Sequence, residues 1–175
     1  MITQITQVHQ YGSTGNETEI HLFKKYFEEL NIGDMLVTAK HTVTDADITN
    51  FANLSGDHFY AHMDATSLEG TIFNQRVAHG YYILSKAAGL FVKKKKGPVL
   101  LNYGIDECRF TKPVYPGMTI CVKLIVKEKI EQEKKSEDDI DKGIVKWLVD
   151  VFDDTVDSVA IATLLTMVKK KYPSI

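Results

Sequence analysis

Apolar positions keep a period of two along the second half of the 175-residue chain and a helical period in parts of the first. Val99, Leu101, Tyr103 and Ile105 share one face of a strand, the phase changes at Cys108 and Phe110, and Gly104 is a candidate bulge. After a turn at Pro116-Gly117 come Ile120, Val122, Leu124 and Val126, then Val145, Trp147, Val149 and Val151. A turn over 153–158 leads into a final strand, 159–168. Earlier, Ile20, Phe23, Phe27 and Leu30 predict an amphipathic helix, with Glu17 and Glu19 near its start and Asn31 and Gly33 at its end. A strand is expected over 35–43. Thr44 or Asp45 then caps a short helix that Ser55-Gly56 stops. The run from Gly80 to Val92 is apolar nearly all round, which predicts a helix buried on most sides. Its small residues Ala87, Ala88 and Gly89 would let a sheet approach closely. One early strand, a central helix and about four later strands in meander read as an α+β domain.

Composition narrows the picture only by exclusion. The length suits one domain, and 44% hydrophobic with 25% charged residues is ordinary for a globular protein. A net charge of −2 offers no reason to expect nucleic acid or a membrane as partner. No apolar run reaches the ~20 residues that span a bilayer. The start, Met1-Ile-Thr-Gln-Ile-Thr, lacks a basic then apolar leader, so a cytoplasmic location is expected. Cys108 and Cys121, on separate strands, read as two free buried thiols. Residues 131–142, with nine charges, read as a solvated hairpin loop. The clusters Lys93–Lys96 and Lys169–Lys171 read first as solvated charge, and the former could also hold phosphate.

The segment 57–77 is long for a connection inside a compact domain. Its Phe59, Tyr60, Met63, Leu68, Ile72 and Phe73 make it a pocket wall rather than a disordered loop. Asp57 and His62 offer a carboxylate and an imidazole on irregular backbone. His79-Gly80 opens the central helix, whose free N–H groups favour a developing negative charge. Base, acid and anion-stabilising amide suit proton transfer at carbon next to a carbonyl. Taken alone, an Asp and a His five apart are common in loops that hydrogen-bond themselves. His79 reads as a satisfied structural residue, with a third base as the rival. Gly80 reads either as an amide donor or as tight packing at the helix start. Zinc on His58, His62, Asp57, Asp64 and His79 is disfavoured, because Gly56 and Phe59-Tyr60 argue against a regular helix there.

The stretch Phe51-Ala-Asn-Leu-Ser-Gly-Asp57, His62, Asp64, then Val77-Ala-His-Gly80 and Ser85, resembles the signature of the MaoC-like hydratases. The resemblance runs from about Asn31 to about Lys170. It implies a hotdog fold, an antiparallel sheet wrapped round a central helix, over 31–170, with 1–30 an N-terminal extension and 171–175 a tail. It implies a hydro-lyase acting on an enoyl-CoA thioester without metal or organic cofactor. Asp57 and His62 would hold the attacking water, and the Gly80 amide would bind the thioester oxygen. Phe59, Tyr60, His79 and Ser85 would contact substrate. Two such sheets pair in relatives, so a homodimer or a dimer-based assembly is expected. The simpler (R)-specific hydratases carry Asn-Pro where this chain has Phe59-Tyr60. Asp57-His-Phe-Tyr-Ala-His-Met-Asp64 and Gly97-Pro-Val-Leu-Leu-Asn-Tyr-Gly104 are most similar to the domain that hydrolyses an oxepin-CoA in phenylacetate degradation. Ring opening is therefore one alternative, and thioesterase activity or a non-catalytic acyl-CoA-binding module are others.

Overall fold

The computed structural model describes residues 9–10 and 20–172. The elements are β1 (His9–Gln10), β2 (Met35–Val37), β3 (His41–Thr42), α1 (Asp45–Ser55), α2 (Tyr60–Met63), α3 (Gly80–Phe91), β4 (Val99–Phe110), β5 (Thr119–Glu131), β6 (Lys142–Asp153) and β7 (Ser158–Lys169). They build one sheet in the order β1-β2-β5-β6-β7-β4, with β3 also on β5. All pairings are antiparallel except the short β1–β2 contact. The strand after α3 crosses to the far side of the sheet and pairs with β7, so it becomes an edge.

The period-two pattern is what drives this sheet. Ile120, Val122, Leu124 and Val126 of β5 and Val145, Trp147, Val149 and Val151 of β6 are all buried on the face that meets α3. Trp147, the largest fully buried side chain, donates its Nε1–H to Thr166 Oγ1 at 2.8 Å, so its one polar group is satisfied. In β4 the register shifts between Asn102 and Gly104, as the glycine suggested, and again between Asp106 and Arg109, where Glu107 takes φ +53°.

Three expectations need correction. Residues 20–30 form two 3-10 turns, Leu22–Lys24 and Phe27–Glu29, in place of an amphipathic helix. Lys25 and Tyr26 between them are extended, at ψ 138° and 166°. Phe23 must reach Trp147 and Phe91, while Phe27 lies on Gly143, where an added Cβ would come within 2.3 Å of its ring. A helix of eleven residues has little stability of its own, so these contacts decide the path. Ile20 stays exposed, and Glu17 and Glu19 lie outside the described residues. The segment docks on this chain's own sheet. The strand over 35–43 is broken at Thr38, whose Oγ1 accepts the Val122 N–H. Helix α3 is buried on one flank only, through Tyr82, Ile83, Ala87 and Phe91, whereas Tyr81, Ser85 and Gly89 are exposed. A Cβ on Gly89 would meet nothing within 4 Å, so no sheet approaches it in the single chain.

Smaller differences concern charge and sulfur. Cys121 is buried and donates to the Thr38 carbonyl, but Cys108 is only half-buried; both are free. In the charged loop, Asp141 is buried and lies 3.7 Å from Lys134 and 3.9 Å from Lys170. Lys170 and Lys171 are paired with Glu131 and Glu29. Among the described residues no helix is long and apolar enough to cross a membrane.

Candidate active site

The local chain explains where the carboxylate goes. Thr44 Oγ1 accepts the Asp47 N–H and the Asp47 carboxylate accepts the Thr44 N–H, which fixes the start of α1. Gly56 ends the helix in the left-handed region at φ +78°, and its N–H donates to the Ala52 carbonyl. Ser55 Oγ donates to the Phe51 carbonyl and accepts the Asp57 N–H, so Asp57 leaves the helix end on a defined path. Its Oδ1 accepts the Phe59 N–H at 3.3 Å. Three residues on, the single turn α2 begins and carries His62 inward. Asp64 ends that turn and is tied to Thr66 and Ser67, bonds that hold its carboxyl down at about 2.

His62 Nδ1 lies 2.7 Å from the Val77 carbonyl oxygen. A carbonyl can only accept, so Nδ1 carries the proton and Nε2 is left with its lone pair when the ring is neutral. His79 is buried beneath it, with ring centroids 3.7 Å apart and planes 28° from parallel. His79 Nε2–H donates to the backbone carbonyl of Asp57 at 2.9 Å. This bond joins the start of α3 to the end of α1 and so sets Asp57 and His62 at a common place. Burial pushes the His79 pKa down; the bond to the Asp57 carbonyl pulls it back in part, and neighbouring His62 adds to the depression. His79 is therefore neutral near pH 7, with Nδ1 buried and without a hydrogen-bond partner among the described residues.

Ligand atoms of Asp57, His62 and His79 all lie within 4.8 Å of one another. His58, which is exposed, and Asp64, which is half-buried, both lie outside this group. Among the described residues these three donors are fewer than the four of a closed structural zinc site. The arrangement suits a carboxylate and an imidazole acting on a water.

His62 and Gly80 face a cavity of about 400 Å³ whose walls include Ile72, Phe73, Ala78, Ile83, Phe110 and Val159. Lys112 also lines it, its ammonium held by Asp153 at 2.6 Å and Asp157 at 2.9 Å. A Cβ on Gly80 would sit 2.6 Å from Phe110 Cε2. Close packing of that ring accounts for the glycine, and the amide at the first position of α3 remains available to an anion. Phe59 and Tyr60 are exposed, with rings 4.5 Å apart, and Phe59 stands edge-on to His62 at 6.0 Å. Ser85 is not brought to the site: it lies on the exposed flank of α3 with Tyr81 and Gly89, outside the cavity wall. Phe110 and Lys112 come from the strand after α3 and the loop that follows it. Their sequence neighbours give no sign of the cavity, since only the β4–β7 pairing brings them there.

An antiparallel sheet curled over one long helix, with polar residues gathered at that helix's N-terminus, defines a hotdog-fold domain. The chain belongs to the MaoC-like dehydratase family: the model of the MaoC like domain matches residues 28–147. It is 50% identical over 139 residues to the protein MaoC of Klebsiella aerogenes, covering 79% of this chain but 42% of that protein. It is 29% identical over 113 residues to an (R)-specific enoyl-CoA hydratase of Rhodospirillum rubrum, covering 65% of this chain and 77% of the hydratase. Among solved structures it resembles a monoamine oxidase regulatory protein from Archaeoglobus, with a TM-score of 0.77 and 30% identity over 85% of this chain and 96% of the other. A MaoC-like dehydratase from Rhodospirillum rubrum gives a TM-score of 0.71 at 23% identity, covering 85% of this chain and 99% of that one.

Proposed function

We propose that the chain is a hydro-lyase that adds water across the double bond of an enoyl-CoA thioester, and removes it in reverse. The observation that carries this reading is the Asp57–His62 pair, whose polar atoms lie within 4.8 Å of each other, with His62 also facing the cavity beside Gly80 and its proton fixed on Nδ1. Water held between the carboxylate and His62 Nε2 gives up a proton to the pair as its oxygen attacks the β carbon. The electron pair of the double bond moves onto the thioester oxygen, where the Gly80 N–H and the α3 N-terminus stabilise the enolate. The pair then returns a proton to the α carbon, so the elements of one water are added and both groups end as they began. Metal and cofactor have no step in this sequence. We propose a cytoplasmic location, and a homodimer because among the described residues β4 has a partner strand on one side only.

The acyl group is proposed to lie against Phe59 and Tyr60, whose exposed rings beside His62 favour a ring or bulky chain. That feature also supports the second reading, ring opening of a cyclic enol-ether thioester such as an oxepin-CoA, because water would again be delivered to a carbon conjugated with the thioester. The test follows loss of the conjugated double bond of crotonyl-CoA by absorbance. Asp57→Asn and His62→Ala should each lower turnover by about 10²–10⁴-fold, without multiplying in the double variant. Near-full activity of either would refute the assignment, and a wild type that binds but never turns over any enoyl-CoA would leave a binding module.

A further inference from the structure

The cavity that His62 faces has walls of one chemical kind. Ile72, Phe73, Ile83, Phe110, Val114 and Val159 line a volume of about 400 Å³, within the range that takes up a whole small ligand. Two more of its side chains, Thr111 and Lys112, are polar, and both are turned toward the hairpin between β6 and β7. Thr111 Oγ1 donates to the Ser158 carbonyl at 2.5 Å. Lys112 Nζ donates to Asp153 Oδ2 at 2.6 Å, to Asp157 Oδ2 at 2.9 Å and to Thr155 Oγ1 at 3.4 Å. An ammonium has three hydrogens, so none is left for a group inside the cavity.

The hairpin is shaped to hold that ammonium. Asp153 is buried, and its Oδ1 accepts the Thr155 N–H at 2.9 Å, the Thr155 hydroxyl at 2.6 Å and the Asp157 N–H at 3.1 Å. Oδ2 is thereby left to Lys112. The bonds from Lys112 and Thr155 hold the Asp153 carboxyl well below the usual carboxylate range, so its charge is present throughout the neutral range. Two carboxylates face one ammonium, which leaves an excess of negative charge at this corner. The cavity itself therefore meets the methylene stem of Lys112 and not its head. A carboxylate entering here would lose its hydration, find no free donor on the side chains of the wall and stand beside that negative excess.

We propose that the cavity receives the hydrocarbon tail of the acyl group, and that Lys112, held back by Asp153 and Asp157, sets specificity by refusing a tail that ends in a carboxylate. The proposal rests on the hydro-lyase reading of the same site. The part of the acyl group next to the double bond stays beside Phe59 and Tyr60, and what extends beyond it enters the cavity. Lys112 is the specificity-determining residue; Asp153 and Asp157 act through it as positioning residues.

The test compares kcat/KM for crotonyl-CoA, octenoyl-CoA and octenedioyl-CoA, which is octenoyl-CoA with a carboxylate at the far end. In the wild type, octenoyl-CoA should exceed crotonyl-CoA by about tenfold or more, because its longer tail buries further methylenes. Octenedioyl-CoA should fall about a hundredfold below octenoyl-CoA. Asp157→Ala removes an exposed carboxylate and frees one Lys112 hydrogen, and should raise the octenedioyl to octenoyl ratio about tenfold. Asp153→Asn/Asp157→Asn, which leaves Lys112 without a charged partner on the hairpin, should raise it further. Each ratio is taken within one variant, so any loss of folded enzyme cancels. An octenoyl-CoA no better than crotonyl-CoA in the wild type removes the tail from the cavity. Equal rates on octenoyl-CoA and octenedioyl-CoA in the wild type overturn the role of Lys112. So does a ratio that neither variant moves while the melting temperature falls, which makes Lys112 a staple of the hairpin and nothing more. If the wild type turns over no enoyl-CoA, the hydro-lyase reading fails separately. Calorimetry of octanoyl-CoA against octanedioyl-CoA, with wild type and Asp157→Ala, then still reads the same preference.

Discussion

Replacing His79 by Ala tests how the pair is held. His79 is buried, stacks on His62 at 3.7 Å and donates to the Asp57 carbonyl at 2.9 Å. Loss of that hydrogen bond costs about 1 kcal/mol net. Truncating a buried ring, which also meets Phe51 at 5.1 Å, leaves a cavity worth about 2 kcal/mol more, at the low end for large-to-Ala changes because imidazole is partly polar. The sum is about 3 kcal/mol, read as a lower urea midpoint at unchanged slope. With the Asp57 backbone and the His62 ring both released, the two functional groups lose their common placement, and kcat should fall about 10²-fold. His79 moves no proton in this account. The pH profile of kcat/KM should therefore keep both limbs and drop in height only, and His79→Gln, which restores a donor, should recover part of kcat. Disappearance of a limb of the profile would make His79 an acid or base itself, and unchanged stability and kcat would show that it does not hold the pair in place.

Further expectations concern neighbouring positions. Gly80→Ala should destabilise by about 1–3 kcal/mol, because the new Cβ meets the Phe110 ring; in a Phe110→Ala background the same change should cost much less, and equal costs in both would refute the contact. His21 Nδ1 accepts the Phe23 N–H, and burial, then Lys93 and Lys24, push its pKa down to about 4. The unfolded chain takes up this proton near 6.5 and the folded chain near 4, so the stability tied to neutral His21 is present above 6.5 and is lost as pH falls toward 4. His21→Asn should accordingly lose less melting temperature than wild type between pH 7 and pH 5, and parallel losses would contradict this. Phe59→Asn/Tyr60→Pro should shift the kcat/KM ratio toward crotonyl-CoA over a cyclic enoyl-CoA by about tenfold, roughly 1.4 kcal/mol; an equal fall for both substrates would mean the aromatics only anchor the loop.

Much of the domain could be read from local pattern, and the reason is the strength of period two. In β5 and β6 every second residue is β-branched or large and apolar, so only one pleat buries them, and the faces named from sequence are the buried ones. The helix start at Thr44 and the stop at Gly56 were equally legible, because capping depends on a few adjacent residues. Asp57 and His62 could be singled out from the motif, and Gly104 from its interruption of an alternating run.

What only the tertiary structure decided depends on partners distant in sequence. Phe23 and Phe27 have helical spacing, yet Trp147, Phe91 and Gly143 draw them into two short turns, since burial against the sheet outweighs a weak helical preference. Gly80 could be read from sequence as an amide donor or as a packing residue; the crossing of β4 to β7 supplies the Phe110 ring that needs the space. His79 reads as a structural residue in the sequence, but its task of joining Asp57 to the start of α3 is visible only when both helix ends meet. Ser85 belongs to the motif and still faces outward, because a helix position's neighbours are set by the surface against which its opposite flank is packed.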